Sequence, residues 1–306
     1  MKQPELFSQK PKPVLAHRCE LGEGPVWDDR TGSLIWVDIL GGTIHEFNAA
    51  TGKHHHIKTQ ALVGAVALCT NGHLLAALDT RLELIHRDSG KRKPLTALGH
   101  IPDGIRCNDG KCDPAGRFWI GTMPLSEDRP IGALYCLGPD GECKEQLRGI
   151  TISNGLAWNA AGTTMYYIDT PTRAVQAFDF NPETGALTNR RIAFGIPESE
   201  GFPDGMTIDS EDKLWIAHWG GWQVARWDPE TGRKLGAFPL PASQITSCSF
   251  GGPDGEDLYI TSASKGLTPG ELEKQPLAGS LFVVKNSGFR GRPANRFAFE
   301  TKFDTP

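Results

Sequence analysis

Hydrophobic and polar positions alternate with a period of two through much of this chain. Thr43-Ile-His-Glu-Phe47, Ala174-Val-Gln-Ala-Phe-Asp-Phe180 and Gln223-Val-Ala-Arg-Trp227 are built this way, with aromatic and β-branched residues on one face. Such segments predict half-buried strands. No stretch carries a 3.6-residue apolar stripe long enough for a core helix.

The strands repeat. A turn rich in Gly or Asp enters a short apolar segment six times, anchored at Leu34, Leu74, Phe118, Met165, Leu214 and Leu258, at intervals of 40, 44, 47, 49 and 44 residues. A second turn recurs downstream, as in Asn48-Ala-Ala-Thr-Gly52, Asn181-Pro-Glu-Thr-Gly185 and Asp228-Pro-Glu-Thr-Gly232. Units of roughly 40 to 50 residues holding about four short strands are the mark of propeller blades. The predicted fold is all-β, a six-bladed β-propeller, with residues 1–306 forming a single domain. Either Pro13–His17 or Asn295–Phe299 is expected to supply the last outer strand and close the ring.

Composition narrows the possibilities. Lys plus Arg is 32 against 36 Asp plus Glu, a net charge of −4 spread along the chain, which argues against nucleic acid as a partner. No apolar window is long enough to span a membrane, and the N-terminal residues lack the apolar core of a secretory signal. Seven cysteines, an odd number without a Cys-x-x-Cys pair, read as free buried thiols. A cytoplasmic protein, monomeric or weakly homo-oligomeric, is expected.

Counting back from the anchors locates candidate chemistry. Glu23, Asn108, Asn154 and Asp204 each lie 10 or 11 residues before an anchor and each leads into glycine. In a propeller these positions are related by rotation and meet at one mouth of the central channel. Taken singly, an Asx-Gly pair is an ordinary turn; four in register are a candidate site. Carboxylates and amide oxygens around one point suit a hard cation. Without one, Glu23 and Asp204 are like charges pressed together. The other two repeats carry Gly64 and Thr246-Ser247 near the equivalent place, which leaves room there.

In combination, Leu21-Gly-Glu-Gly-Pro-Val-Trp27, Arg106-Cys-Asn-Asp-Gly-Lys111, Gly116–Met123, Ser153-Asn-Gly-Leu-Ala157, Tyr166–Thr170 and Pro203-Asp-Gly-Met206 resemble the regucalcin / gluconolactonase / luciferin-regenerating-enzyme family. The resemblance runs from about residue 14 to about residue 285. His218-Trp-Gly-Gly-Trp222 and Phe250–Asp254 are similar to bacterial sugar lactonases such as xylonolactonase. The resemblance implies that Glu23, Asn154 and Asp204 are metal ligands, with Asp204 also the acid/base. It places Arg106 and Asn108 at substrate-binding positions. Glu127, in Pro124-Leu-Ser-Glu-Asp128, is the candidate for a further acidic contact. The implied cofactor is one divalent ion, calcium first, with zinc, manganese, magnesium or iron also compatible with the ligands. The implied activity, in carbohydrate metabolism, is hydrolysis of an aldono-1,4- or 1,5-lactone. A phosphotriesterase-like hydrolase and a non-catalytic calcium-binding propeller are the alternatives.

Other residues read two ways. Arg106 either grips substrate or satisfies loop carbonyls, and Trp219 and Trp222 either wall a sugar pocket or pack blades. Cys107 and Cys112 read as strand packing. His54-His55-His56 alternate faces of a strand, so they cannot all meet one ion, and read as a solvated edge. No nucleophile elbow, phosphate loop or His-Glu-x-x-His motif is present, so hydrolysis is expected to use metal and water directly.

Overall fold

A computed structural model describes residues 5–99 and 101–299. Six sheets stand around a central axis as the blades of a six-bladed β-propeller. Their innermost strands are Gly22–Asp28, Val63–Leu68, Ile105–Cys112, Ser153–Trp158, Phe202–Ile208 and Ile245–Gly251. Each touches its two neighbours, so together they form the closed wall of a channel. Blades 1 to 4 are four-stranded antiparallel meanders, and blade 5 gains a short parallel strand, Glu5–Leu6, at its outer edge.

The repeat anchors open the second strand of every blade and are at most 1% exposed. Both faces of a blade pack on neighbouring blades, so the second strands are buried along nearly their whole length. The cores lie between blades. One cluster joins Leu75 and Leu82 of blade 2 to Cys107, Phe118 and Ile120 of blade 3, and Cys112 belongs to it too. The cysteines are thus packing residues, and all seven are free. The downstream turns join third to fourth strands, with Gly52, Gly185 and Gly232 N–H donating to the Asn48, Asn181 and Asp228 carbonyls at 2.8–2.9 Å.

Ring closure distinguishes the two expected candidates. Lys12–Arg18 is the outer strand of blade 6, pairing antiparallel with Ser280–Val284. An outer edge tolerates Pro13, which has no N–H to give. The Asn295–Phe299 segment instead crosses the base of the ring. Phe297 is fully buried there, exchanging backbone hydrogen bonds with Leu68 and Thr70. Among the described residues the α-helix is Pro269–Lys274, capped by Thr268 and exposed, and no helix is long and apolar enough to cross a membrane.

Every inner strand breaks register once. The bulges fall after Glu23, at Gly64, at Asn108-Asp109, at Gly155, at Asp204-Gly205 and at Thr246. Bulges re-aim side chains, and here they fall at the polar positions of the channel mouth. Gly64 has a reason beyond leaving room: a Cβ there would sit 2.6 Å from the Cys107 carbonyl carbon, because the neighbouring strand approaches so closely.

His218, on the second strand of blade 5, is fully buried. Its Nδ1 lies 2.9 Å from the Glu200 carbonyl oxygen, and Trp227 Nε1 donates to its Nε2 at 3.3 Å. These partners select the neutral Nδ1–H tautomer, and burial lowers the pKa to about 4. The unfolded chain therefore takes up this proton first, and stability is lost as pH falls from about 6.5 through about 4. We expect His218 to account for roughly 3 kcal/mol of acid destabilisation. Urea midpoints at pH 7 and pH 4 should fall further apart in wild type than in His218→Gln. Equal losses would remove His218 as the cause.

Candidate functional site

At one mouth of the channel lies a cavity of about 600 Å³, and Glu23, Arg106, Asn108, Glu127, Asn154 and Asp204 all line it. Four blades contribute, so residues as distant in sequence as Glu23 and Asp204 share one wall.

Glu23 and Asp204 are 4% and 6% exposed, and their carboxyl groups hydrogen-bond one another. Burial pushes both carboxyls well above the usual range. The Asp204 charge then adds to the effect on Glu23, and a further buried acid, Asp109, raises both. Each carboxyl also accepts from the N–H of the glycine that follows it, Gly24 at 2.8 Å in the case of Glu23.

Asn154 is oriented by a relay. Its Nδ2 donates to Thr170 Oγ1 at 2.8 Å, and Thr170 donates onward to the Pro203 carbonyl at 2.8 Å. Its Oδ1 accepts from Asn108 Nδ2 at 3.2 Å, while Asn108 Oδ1 accepts from Arg106 Nη1 at 2.6 Å. The network fixes the amide direction, leaving Asn154 Oδ1 with a second lone pair on a residue that lines the same cavity as the acid pair. Two carboxyls that resist sharing one site and an oriented amide oxygen form a hard-oxygen donor set. Such a set fits one divalent cation, whose charge would remove the repulsion.

Arg106 is 4% exposed and also donates to the Cys107 carbonyl at 2.9 Å, so it both satisfies a loop carbonyl and faces the cavity. Burial lowers its pKa, and the charges of Glu127 and Glu23 work against that. Glu127 occupies a left-handed turn (φ 60°) and is ion-paired to Lys265. Trp219 lines the cavity, whereas Trp222 is 45% exposed and does not. The triple histidine lies elsewhere, on the outer strand His54–Lys58 of blade 1.

Sequence reasoning missed several neighbours. Lys265, Gln244 and Thr170 line the cavity from connections that carry no periodic signal. The buried Gln244 Oε1 has no hydrogen-bond partner. Phe202, two residues before Asp204 and hence on the same side of an extended strand, was findable by alternation. Asp109 was hidden by the bulge, which buries two consecutive residues at the channel. Asn108 faces the large cavity, and Asp109, with Lys111, lines a second one of about 230 Å³ that Arg292–Asn295 cover from the far end.

A polar channel mouth holding a paired-acid site on a six-bladed ring defines the class. The chain belongs to the SMP-30/gluconolactonase/LRE-like family, whose model matches residues 21–264. It is 41% identical to regucalcin of Danio rerio over 292 residues, 94% of this chain and 98% of the relative. Its fold matches a luciferin-regenerating enzyme at TM-score 0.90 and 30% identity, covering 95% of this chain and all of that one. It also matches a calcium-binding protein, regucalcin, from Agrobacterium tumefaciens at TM-score 0.91 and 27% identity, covering 98% and 100%.

Proposed function

We propose that the protein is a divalent-cation-dependent hydrolase that opens a sugar lactone to its hydroxy acid. The observation that carries this reading is the placement of the Glu23–Asp204 acid pair and the oriented Asn154 oxygen in the same cavity as Arg106 and Asn108. Membership of a family named in part for gluconolactonase supports a lactonase, and the regucalcin relatives support calcium as the first cation to test.

Glu23, Asn154 and Asp204 would hold the cation, which when bound polarises the lactone carbonyl and offsets the charge that develops on its oxygen. Asp204 accepts a proton from the attacking water at a carboxylate oxygen. It returns that proton to the ring oxygen as the C–O bond breaks, leaving carboxylic acid and alcohol. Arg106 and Asn108 hold the sugar hydroxyls and so fix the carbonyl against the water. Phe202 and Trp219 provide apolar walls for the sugar faces.

The test is a pH-indicator assay over a panel of aldono-1,4- and 1,5-lactones, with each divalent cation restored after chelation. Cation-dependent acid release from at least one lactone is expected. Tight calcium binding with no turnover on any member would favour a non-catalytic calcium-binding propeller, the reading that the calcium-binding relative supports.

Gln244 gives a finer check. The residue lines the cavity and its Oε1 lacks a partner within the protein, so a turn of the side chain would bring the amide to a substrate hydroxyl. Gln244→Ala should raise KM about 2- to 10-fold at unchanged kcat, the cost of one neutral hydrogen bond. An unaltered KM on every hydrolysed lactone would take Gln244 off the substrate.

A further inference from the structure

The seam that closes the ring carries imidazoles and a thiol that the hydrolytic reading does not use. His17 lies on the closing strand Lys12–Arg18 and Cys19 just beyond it, while His45 and His54 lie on the outer two strands of blade 1. His17, Cys19 and His45 each offer a ligand atom, and these atoms all lie within 4.8 Å of one another. His54 Nε2 is 3.0 Å from His45 Nδ1, and both rings stack on Trp36. His45 is only 2% exposed, yet its Nε2 has no hydrogen-bond partner. A buried polar atom without a partner calls for an explanation.

We propose that His17, Cys19 and the unpartnered Nε2 of His45 form a site for a borderline-soft transition-metal dication, zinc being the reference, which clasps the closing strand of blade 6 onto blade 1, with His54 holding the opposite nitrogen of the His45 ring and water completing the shell. Imidazole nitrogens and a thiolate select such ions over calcium or magnesium. Tetrahedral zinc with these ligands needs them about 3.4–3.7 Å apart, so closure asks for a contraction of about 1 Å. The exposed His17 side chain can make that movement and leaves a path for the ion.

The protonation states suit the assignment. Burial lowers His45 to about 3 and lowers His54 as well, so both imidazoles are neutral at pH 7 and His45 Nε2 has its lone pair to give. Burial, helped by Asp38, pushes the Cys19 thiol up to about 12, while the Trp36 hydrogen bond to the sulfur acts the other way. Binding would therefore exchange the Cys19 proton for the ion and release that proton to solvent. Sequence spacing hid the site, because three adjacent histidines suggest one strand's ligands. The structure instead draws its two histidine ligands from the closing strand and the third strand of blade 1.

The experiment titrates Co²⁺ into chelated wild-type protein with calcium in excess. A thiolate–cobalt charge-transfer band in the near ultraviolet should grow to one equivalent and vanish on adding Zn²⁺. The cavity of Glu23, Asn154 and Asp204 has no cysteine among its lining residues, only the Met123 thioether, and cannot produce a thiolate band. Asp204→Asn should keep the band, Cys19→Ser should lose it, and His45→Gln should weaken Co²⁺ binding at least tenfold. Should Cys19→Ser fail to fold, His17→Gln, altered at an exposed side chain, should also bind at least tenfold more weakly. A wild type without the band would overturn the proposal, as would a band that survives Cys19→Ser or an unchanged affinity in His17→Gln.

Discussion

Asp204→Asn is expected to remain about 10²- to 10⁴-fold slower than wild type on the best lactone even at saturating cation, the range for loss of a general acid–base. The substitution keeps the shape and one oxygen. That oxygen can still accept from the Gly205 N–H, and the new amide can donate to Glu23, so the buried polar groups stay satisfied. What disappears is a negative charge and a proton-accepting atom. Cation affinity should fall as well, since Glu23 and Asp204 are the two acids that line the large cavity at the proposed cation position. Stability of the cation-free protein should hold or rise, because the substitution removes a buried charge that raises Glu23 and that Asp109 itself disfavours. Recovery of most of the rate by excess cation would make Asp204 a ligand only.

Arg106→Ala is expected to lower kcat/KM by roughly 10- to 150-fold, the equivalent of about 1.5–3 kcal/mol for a buried charged hydrogen bond. Arg106 holds Asn108, and Asn108 holds the Asn154 oxygen, so the variant loosens one end of a relay. The other end stays tied through Thr170 to the Pro203 carbonyl. Cation affinity, read by calorimetry, should therefore shift by less than about tenfold while catalytic efficiency drops. Wild-type kinetics on every hydrolysed lactone would reduce Arg106 to its contact with the Cys107 carbonyl.

Blade number and strand order were legible because a propeller is a repeat. Each unit must bury two faces with the same alternation, so Leu34, Leu74, Phe118, Met165, Leu214 and Leu258 recur at nearly constant spacing and all become core. Rotational equivalence then carried Glu23, Asn108, Asn154 and Asp204 to one mouth with no contact known in advance. Asp109 was not legible. Strict alternation sends it away from Asn108, and only the register break opposite Gly121 buries both residues at the channel.

The linear pattern by itself determined the class of fold, the rotational register and the residue types at the channel mouth, since all three follow from local periodicity. The tertiary structure alone decided which residues complete the cavity and how its groups are charged. Lys265 reaches Glu127 across 138 positions, Asn108 reaches Asn154 across 46, and Lys12–Arg18 rather than Asn295–Phe299 closes the ring. Such pairings depend on loop paths and on which buried partner each polar group finds. No short-range period encodes either, because their energies come from desolvation and contact between segments that meet only after the ring has closed.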